Sequence, residues 1–274
     1  VKMMKAIASS KISEYQQATK ALDAFYRTLL LGMHAYLRHH PAAGITQYPG
    51  GIQEEGSAVF LLFGSDQGLV GPFNNTIVEF FKQSRPADIK RYKLWAIGDR
   101  VGFILKDQGI PVDITFPVPH SVENITAFVG NVLSAFDTIK DKEHIARIYA
   151  FFNRPGKFEG YTPVRRQILP IGKEWRARAI QVQWPSNHFP QIIGDHTEVF
   201  STLFREYLFT SFYRACAFSL SSENTSRLNA MIRAENNIEE ISEKLQMSYH
   251  QSRQDAIDTE LFDVVAGFKF LSSS

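Results

Sequence analysis

DHTEVFSTLFREYLFTSFYRACAFSL, residues 195–220, opens a stretch that runs on to Leu271 with no proline and a single glycine, Gly267. An unbroken helix over that span would be roughly 115 Å long at 1.5 Å per residue. Ordinary helices have about 11 residues, and a domain of this size is roughly 30–40 Å across. Such a helix must leave its own domain and meet other partners. Asp195 is the expected N-cap, with Glu198 three residues on as its capping-box partner. Between Phe200 and Phe218 stand seven aromatics: Phe200, Phe204, Tyr207, Phe209, Phe212, Tyr213 and Phe218. That density predicts docking on a domain core and on another helix. Beyond Ser221 the apolar residues thin to Leu228, Met231, Ala234, Ile238, Ile241 and Leu245. This spacing predicts a two-helix seam.

The partner for that seam is the other end of the chain. Val1 to His39 has no proline and one glycine, Gly32. Met4, Ala8, Lys11, Tyr15, Ala18, Leu22, Phe25, Leu29, Gly32 and Tyr36 follow a 3.5-residue repeat, and eight of the ten are apolar. Such a repeat makes a coiled-coil seam. Val1 already lies inside the helical pattern, so residues before it are expected.

Between the helices the period changes. After a loop punctuated by Pro41, Pro49, Gly50 and Gly51 come strands at 58–63, 92–97, 112–116 and 145–152. Helices at 72–83, 98–108 and 121–140 separate them. Strands alternating with helices of this length predict a parallel sheet with right-handed crossovers. Val164–Leu169 and Ile180–Trp184, with no helix between them, predict an added hairpin or an antiparallel edge. The fold class is α/β. Residues 1–40 form an N-terminal coiled-coil helix, 41–194 a central Rossmann-like domain, and 195–274 the long C-terminal helix, the two helices running antiparallel.

Composition narrows the function. Of 274 residues 44% are apolar, enough for a core, so wholesale disorder is excluded. A net charge of +2 calls for no nucleic acid. No run of 18 apolar residues would span a bilayer. Cys216, the only cysteine, excludes an internal disulfide and reads as a small buried hydrophobe. The eight histidines show no metal-ligand spacing, and His39 and His40 stand where they would cap a helix C-terminus. Arg165, Arg166, Lys173, Arg176 and Arg178 face only Glu174, which gives a solvated basic face or an acidic partner. The turn Gly64-Ser65-Asp66-Gln67-Gly68-Leu69-Val70-Gly71-Pro72-Phe73-Asn74 follows a strand and precedes a helix, where a phosphate could sit. Its G-x-x-x-G-x-x-G spacing is neither a dinucleotide fingerprint nor a P-loop, and a tight structural turn is favoured. No catalytic set, metal site or cofactor site is legible.

Four motifs carry a resemblance. Val1-Lys2-Met3-Met4-Lys5-Ala6-Ile7-Ala8-Ser9-Ser10-Lys11-Ile12 is similar to T-K-A-M-x-M-V-A-A-S-K-L of the γ subunits of F-type ATP synthases. The glycine-rich turn resembles their S-D-R-G-L-C-G-G-L-N. Ser222-Glu223-Asn224-Thr225-Ser226-Arg227-Leu228-Asn229-Ala230-Met231 resembles S-E-x-A-A-R-M-x-A-M, and Arg253 to Leu261 resembles R-Q-A-x-I-T-x-E-L. The resemblance implies a non-catalytic rotor: a coiled-coil shaft inside a ring of α and β subunits, and an α/β foot on the membrane ring of c subunits beside ε. It implies no cofactor and no homo-oligomer. It also implies a peripheral position, through the c ring, on the cytoplasmic face of a bacterial or archaeal membrane. Met4 and Lys5 match positions near the β-subunit loops, and Arg253 and Gln254 match the pair that hydrogen-bonds those loops higher up. Asp258 stands where the family has threonine. Gln67, Val70, Pro72 and Phe73 depart from the usual turn, which resembles the divergent alternate class of the family. The competing readings are a small-ligand-binding α/β module tethered by its coil, and an enzyme built on the glycine-rich turn.

Overall fold

The strand Ser57–Phe63 (β1), SAVFLLF, is apolar on both faces, as a central parallel strand must be. The computed structural model describes residues 1–39, 56–140, 143, 145–156, 160–170, 184, 186, 188 and 190–272. Among these the order is α1 (Lys2–His39), β1, α2 (Phe73–Ser84), β2 (Tyr92–Ile97), α3 (Asp99–Asp107), β3 (Ile114–Phe116), α4 (Val122–Lys140), β4 (Ile145–Pro155), β5 (Tyr161–Leu169) and α5 (His196–Ser272).

The sheet order is β3-β2-β1-β4-β5. The first four strands are parallel, with Leu61 opposite Trp95 and Ala150. β5 runs antiparallel to β4, the expected edge, with Phe151 opposite Arg165. Alternation along β1 assigns the two faces. Ala58, Phe60 and Leu62 pack with Ile77, Phe81 and Leu105 of α2 and α3. Val59, Leu61 and Phe63 belong to the core that also takes α4, α1 and the aromatic part of α5. The sheet is thus covered by short helices on one side and by α4 and the long helices on the other. The second strand expected from the edge, Ile180–Trp184, lies at 180–183 outside the described residues. So do Lys173, Glu174, Arg176 and Arg178, the side chain of His39, and His40.

α5 starts where its cap is expected. The Asp195 carboxylate accepts hydrogen bonds from the backbone N–H groups of Thr197 (2.8 Å) and Glu198 (3.0 Å). Those bonds, Glu198's first, hold the Asp195 pKa below its ordinary value. Asp195→Ala should therefore speed amide exchange at Thr197 and Glu198 at neutral pH. The lowered carboxyl contributes above its unfolded pKa and is lost as pH falls through the folded one. The difference between the two chains should accordingly vanish in strong acid, which exchange measured across pH checks.

α1 and α5 run antiparallel. Asp23 pairs with Arg214 at 3.1 Å and Lys5 with Glu235. A Cβ built on Gly32 would lie 3.0 Å from Leu203 Cδ2, so α5 packs closely against that glycine. Eight of the ten residues of the α1 repeat are buried or half-buried, Met4 and Phe25 being the exceptions. One expectation fails. Ile238, Ile241 and Leu245, assigned to the seam with α1, are 57%, 56% and 65% exposed. Lys5 lies opposite Glu235, so the first turn of α1 already stands beside the last covered turn of α5. From residue 236 to 265 every residue of α5 is exposed.

Candidate rotor surface and foot–shaft joint

A doubly wound sheet offers a ligand the crevice at the carboxyl ends of the strands where the winding reverses. Here that point lies between β1 and β4, beside the glycine-rich turn. The crevice is filled by α5. Ser222 Oγ donates to the Asn153 carbonyl at the end of β4 (3.0 Å), and Ser226 Oγ donates to the Val70 carbonyl in the turn (2.6 Å). Gly71 has φ +55, and a Cβ there would lie 3.3 Å from the Arg233 guanidinium.

The turn itself is tied from within. Ser65 N–H donates to Asn74 Oδ1 (2.9 Å), and Asn74 Nδ2 donates to Ser65 Oγ (2.8 Å). Both residues are buried. The Asp66 carboxylate accepts from the N–H groups of Asp99 and Val118, each at 3.0 Å, which joins the turn to α3 and to the segment after β3. The tight structural turn is the reading that fits. Ser65, Asp66 and Asn74 thus serve the protein's own chain, which favours the structural turn over the ligand-binding and enzyme readings.

Around Glu223 the joint leaves a polar cleft of about 140 Å³, bordered by Lys11, Tyr15, Asp66, His120 and Arg227. Glu223 accepts from Arg227 Nη2 at 2.7 Å. Burial raises the Tyr15 hydroxyl pKa and raises that of the Cys216 thiol well above its usual value. Cys216 is the small buried hydrophobe expected. Further along the interface Arg214 lies over the rings of Tyr26 and Phe218, 5.5 and 5.6 Å from their centroids. Arg165, part of the expected basic face, is exposed; it donates to the Ser84 carbonyl and lies over the Tyr149 ring.

The four contact residues expected from sequence do not form one site. Met4 and Lys5 sit in the first turns of α1, and Lys5 is occupied by Glu235. Arg253 and Gln254 lie 18 residues beyond Glu235, about 27 Å along the helix. Both are exposed and make no hydrogen bond or ion pair among the described residues. The Ser222–Met231 motif has a role beyond the resemblance it carries: Ser222 and Ser226 hold the foot, and Glu223 is buried between them. The signal was present. A Glu–Arg pair four apart, flanked by small hydroxyl residues, continues an otherwise aromatic helix.

Comparison with known proteins agrees with this architecture. The family profile described as ATP synthase matches residues 1–271. The ATP synthase gamma chain of Malacoplasma penetrans is 24% identical over 97% of this chain and 91% of its own length. That of Ehrlichia chaffeensis is 24% identical over 99% and 92%. Among solved structures, the fold is shared with the central stalk/c-ring structure of Tetrahymena thermophila mitochondrial ATP synthase (TM-score 0.59, 18% identity, 85% of this chain and 98% of that one). It is also shared with a chain of the Euglena gracilis OSCP/F1/c-ring assembly (TM-score 0.59, 13% identity, 99% and 95%).

Proposed function

The chain belongs to the γ-subunit family of ATP synthases, and from that membership we propose how its exposed shaft couples rotation to catalysis. It is the central-stalk rotor subunit and non-catalytic; catalysis belongs to the β subunits. Its partners are the α and β subunits of the ring, the ε subunit and the c ring. It is associated with the membrane complex, and no described helix is long and apolar enough to cross a bilayer. We place it on the cytoplasmic face of a bacterial or archaeal membrane, held there through the c ring. Residues 1–40, 41–194 and 195–274 act as first shaft helix, foot and long shaft helix.

The observation that carries the proposal is the bare end of α5. Ile257, Leu261, Phe262 and Val264 are all exposed on a part of the helix that no described part of the foot covers. Apolar surface of that kind marks a site of association, and a ring enclosing the shaft supplies the cover. A shaft of two unlike helices has no three-fold symmetry. It therefore touches three β subunits differently at any moment, and those differing contacts bias each catalytic site toward a different state. Turning the foot on the c ring rotates the bias from one β subunit to the next.

Within this scheme Arg253 and Gln254 contact the β-subunit loops, Arg253 through acidic groups. Met4 and Lys5 meet the loops lower down, where the Lys5–Glu235 pair fixes the two helices side by side. Arg253→Ala together with Gln254→Ala should lower coupled ATP turnover of the assembled complex about tenfold. That is the equivalent of about 1.5 kcal/mol, the lower end for a hydrogen bond to a charged group. Unchanged turnover would remove these residues from the contact. Co-purification without α and β subunits would overturn the rotor reading itself.

A further inference from the structure

Glu223 stands where α1, the glycine-rich turn, the segment after β3 and α5 converge, and it is only 6% exposed. Its two carboxylate oxygens are treated unequally. Oε1 accepts from Arg227, whereas Oε2 is buried with no hydrogen-bond partner among the described residues. A carboxylate with one bare oxygen out of water is costly, and the neutral acid in the same place is much less so. Each neighbouring element presents its own groups. From α1 come Tyr15 and Lys11, whose ammonium is turned to the His120 carbonyl at 2.9 Å. From the turn comes Asp66, an anion held by two backbone N–H groups. The segment after β3 presents His120, and α5 adds Arg227 and the Cys216 thiol. Glu223 also lies between the two residues that tie α5 to the foot, Ser222 and Ser226.

We propose that Glu223 is a proton-operated latch: the joint between foot and shaft grips more firmly when its carboxyl carries a proton than when it is bare. The charged form needs separation from the Asp66 anion across the cleft and a donor for Oε2, and no described protein group supplies that donor. The neutral form needs neither. The direction of its titration agrees: burial raises the Glu223 pKa and Asp66 raises it further, against the lowering by Arg227 and Lys11. A carboxyl raised in the folded state binds its proton more tightly there than in the unfolded chain. Its contribution is full below the unfolded value of about 4.3 and is lost as pH rises through the folded one.

The test uses the full chain. Urea unfolding from pH 4 to pH 8 compares the wild type with Glu223→Gln, which keeps the shape and removes the proton. The wild-type unfolding constant should rise relative to the variant by up to tenfold per pH unit in the window above pH 4.3. The variant should be the more stable of the two at pH 8. Parallel pH profiles would overturn the latch. Should Glu223→Gln not fold, the side-chain carboxyl resonance of Glu223 in the wild type decides. A midpoint above the unperturbed glutamate value supports the latch, and one at or below it overturns the latch.

Discussion

Gly98→Ala is expected to destabilise the chain by about 3 kcal/mol, read as a lower denaturant midpoint with an unchanged slope. Gly98 caps α3 with φ 113 and ψ 130, a region that side-chain-bearing residues almost never occupy. Its N–H donates to the Phe116 carbonyl at 2.9 Å, so the peptide is pinned by β3. A Cβ there would sit 2.6 Å from the Ser65 carbonyl oxygen and 2.8 Å from the Ser65 nitrogen. Both are backbone atoms, and the turn holding them is fixed by Asn74 and Asp66. The backbone strain and the clash therefore add, and neither relaxes by a rotamer change. Gly109 is the control. It also has positive φ, +72, but nothing lies within 4 Å of a Cβ built on it. Gly109→Ala should cost only about 1 kcal/mol, the conformational part. Equal losses at the two positions would show that the close approach of the turn to Gly98 is irrelevant.

The second large effect separates the two halves of α5. Phe212, 1% exposed, belongs to the core shared by the sheet, α1 and α4. Phe212→Ala should cost about 3–5 kcal/mol, the usual range for a large aromatic removed from a packed core. Phe262, 75% exposed on the same helix, should behave in the opposite way. Phe262→Ala should leave the isolated chain within about 0.5 kcal/mol of the wild type while weakening assembly with the α/β ring. Measuring urea stability on the free chain and ring binding on the complex gives the two readouts. A large stability loss at Phe262 would mean that the outer half of α5 folds onto something within this chain.

Much of this layout was legible in the residues. The parallel strands announced themselves as short apolar runs between helices, and β2 was delimited at Tyr92 and Ile97 from its sequence alone. The antiparallel edge followed from the missing helix between Val164–Leu169, which falls in β5, and Ile180–Trp184. The cap at Asp195 was visible because a side-chain acceptor one residue before a helix has a single local job. The seam beyond Met231 was misjudged because spacing records that a residue can face a partner helix, not which segment that partner is. Ile238 and Leu245 keep the period beyond Glu235, where the described part of α1 no longer covers them. The joint was missed for a different reason. Ser222 and Ser226 bond to carbonyls 69 and 156 residues away in the chain, and no local pattern encodes such a distance. The glycine-rich turn and the serine that bonds to it are far apart in sequence, and only folding sets them against each other.

That occupation has a pharmacological consequence. A small molecule aimed at the crevice between β1 and β4 would compete with a segment of the same chain, present at the high effective concentration that tethering confers. Displacing it means breaking the bonds of Ser222 and Ser226 and unseating Glu223 at once. Agents that act on this subunit should therefore favour surfaces the chain leaves uncovered, and the plugged crevice should be an unproductive target in screens.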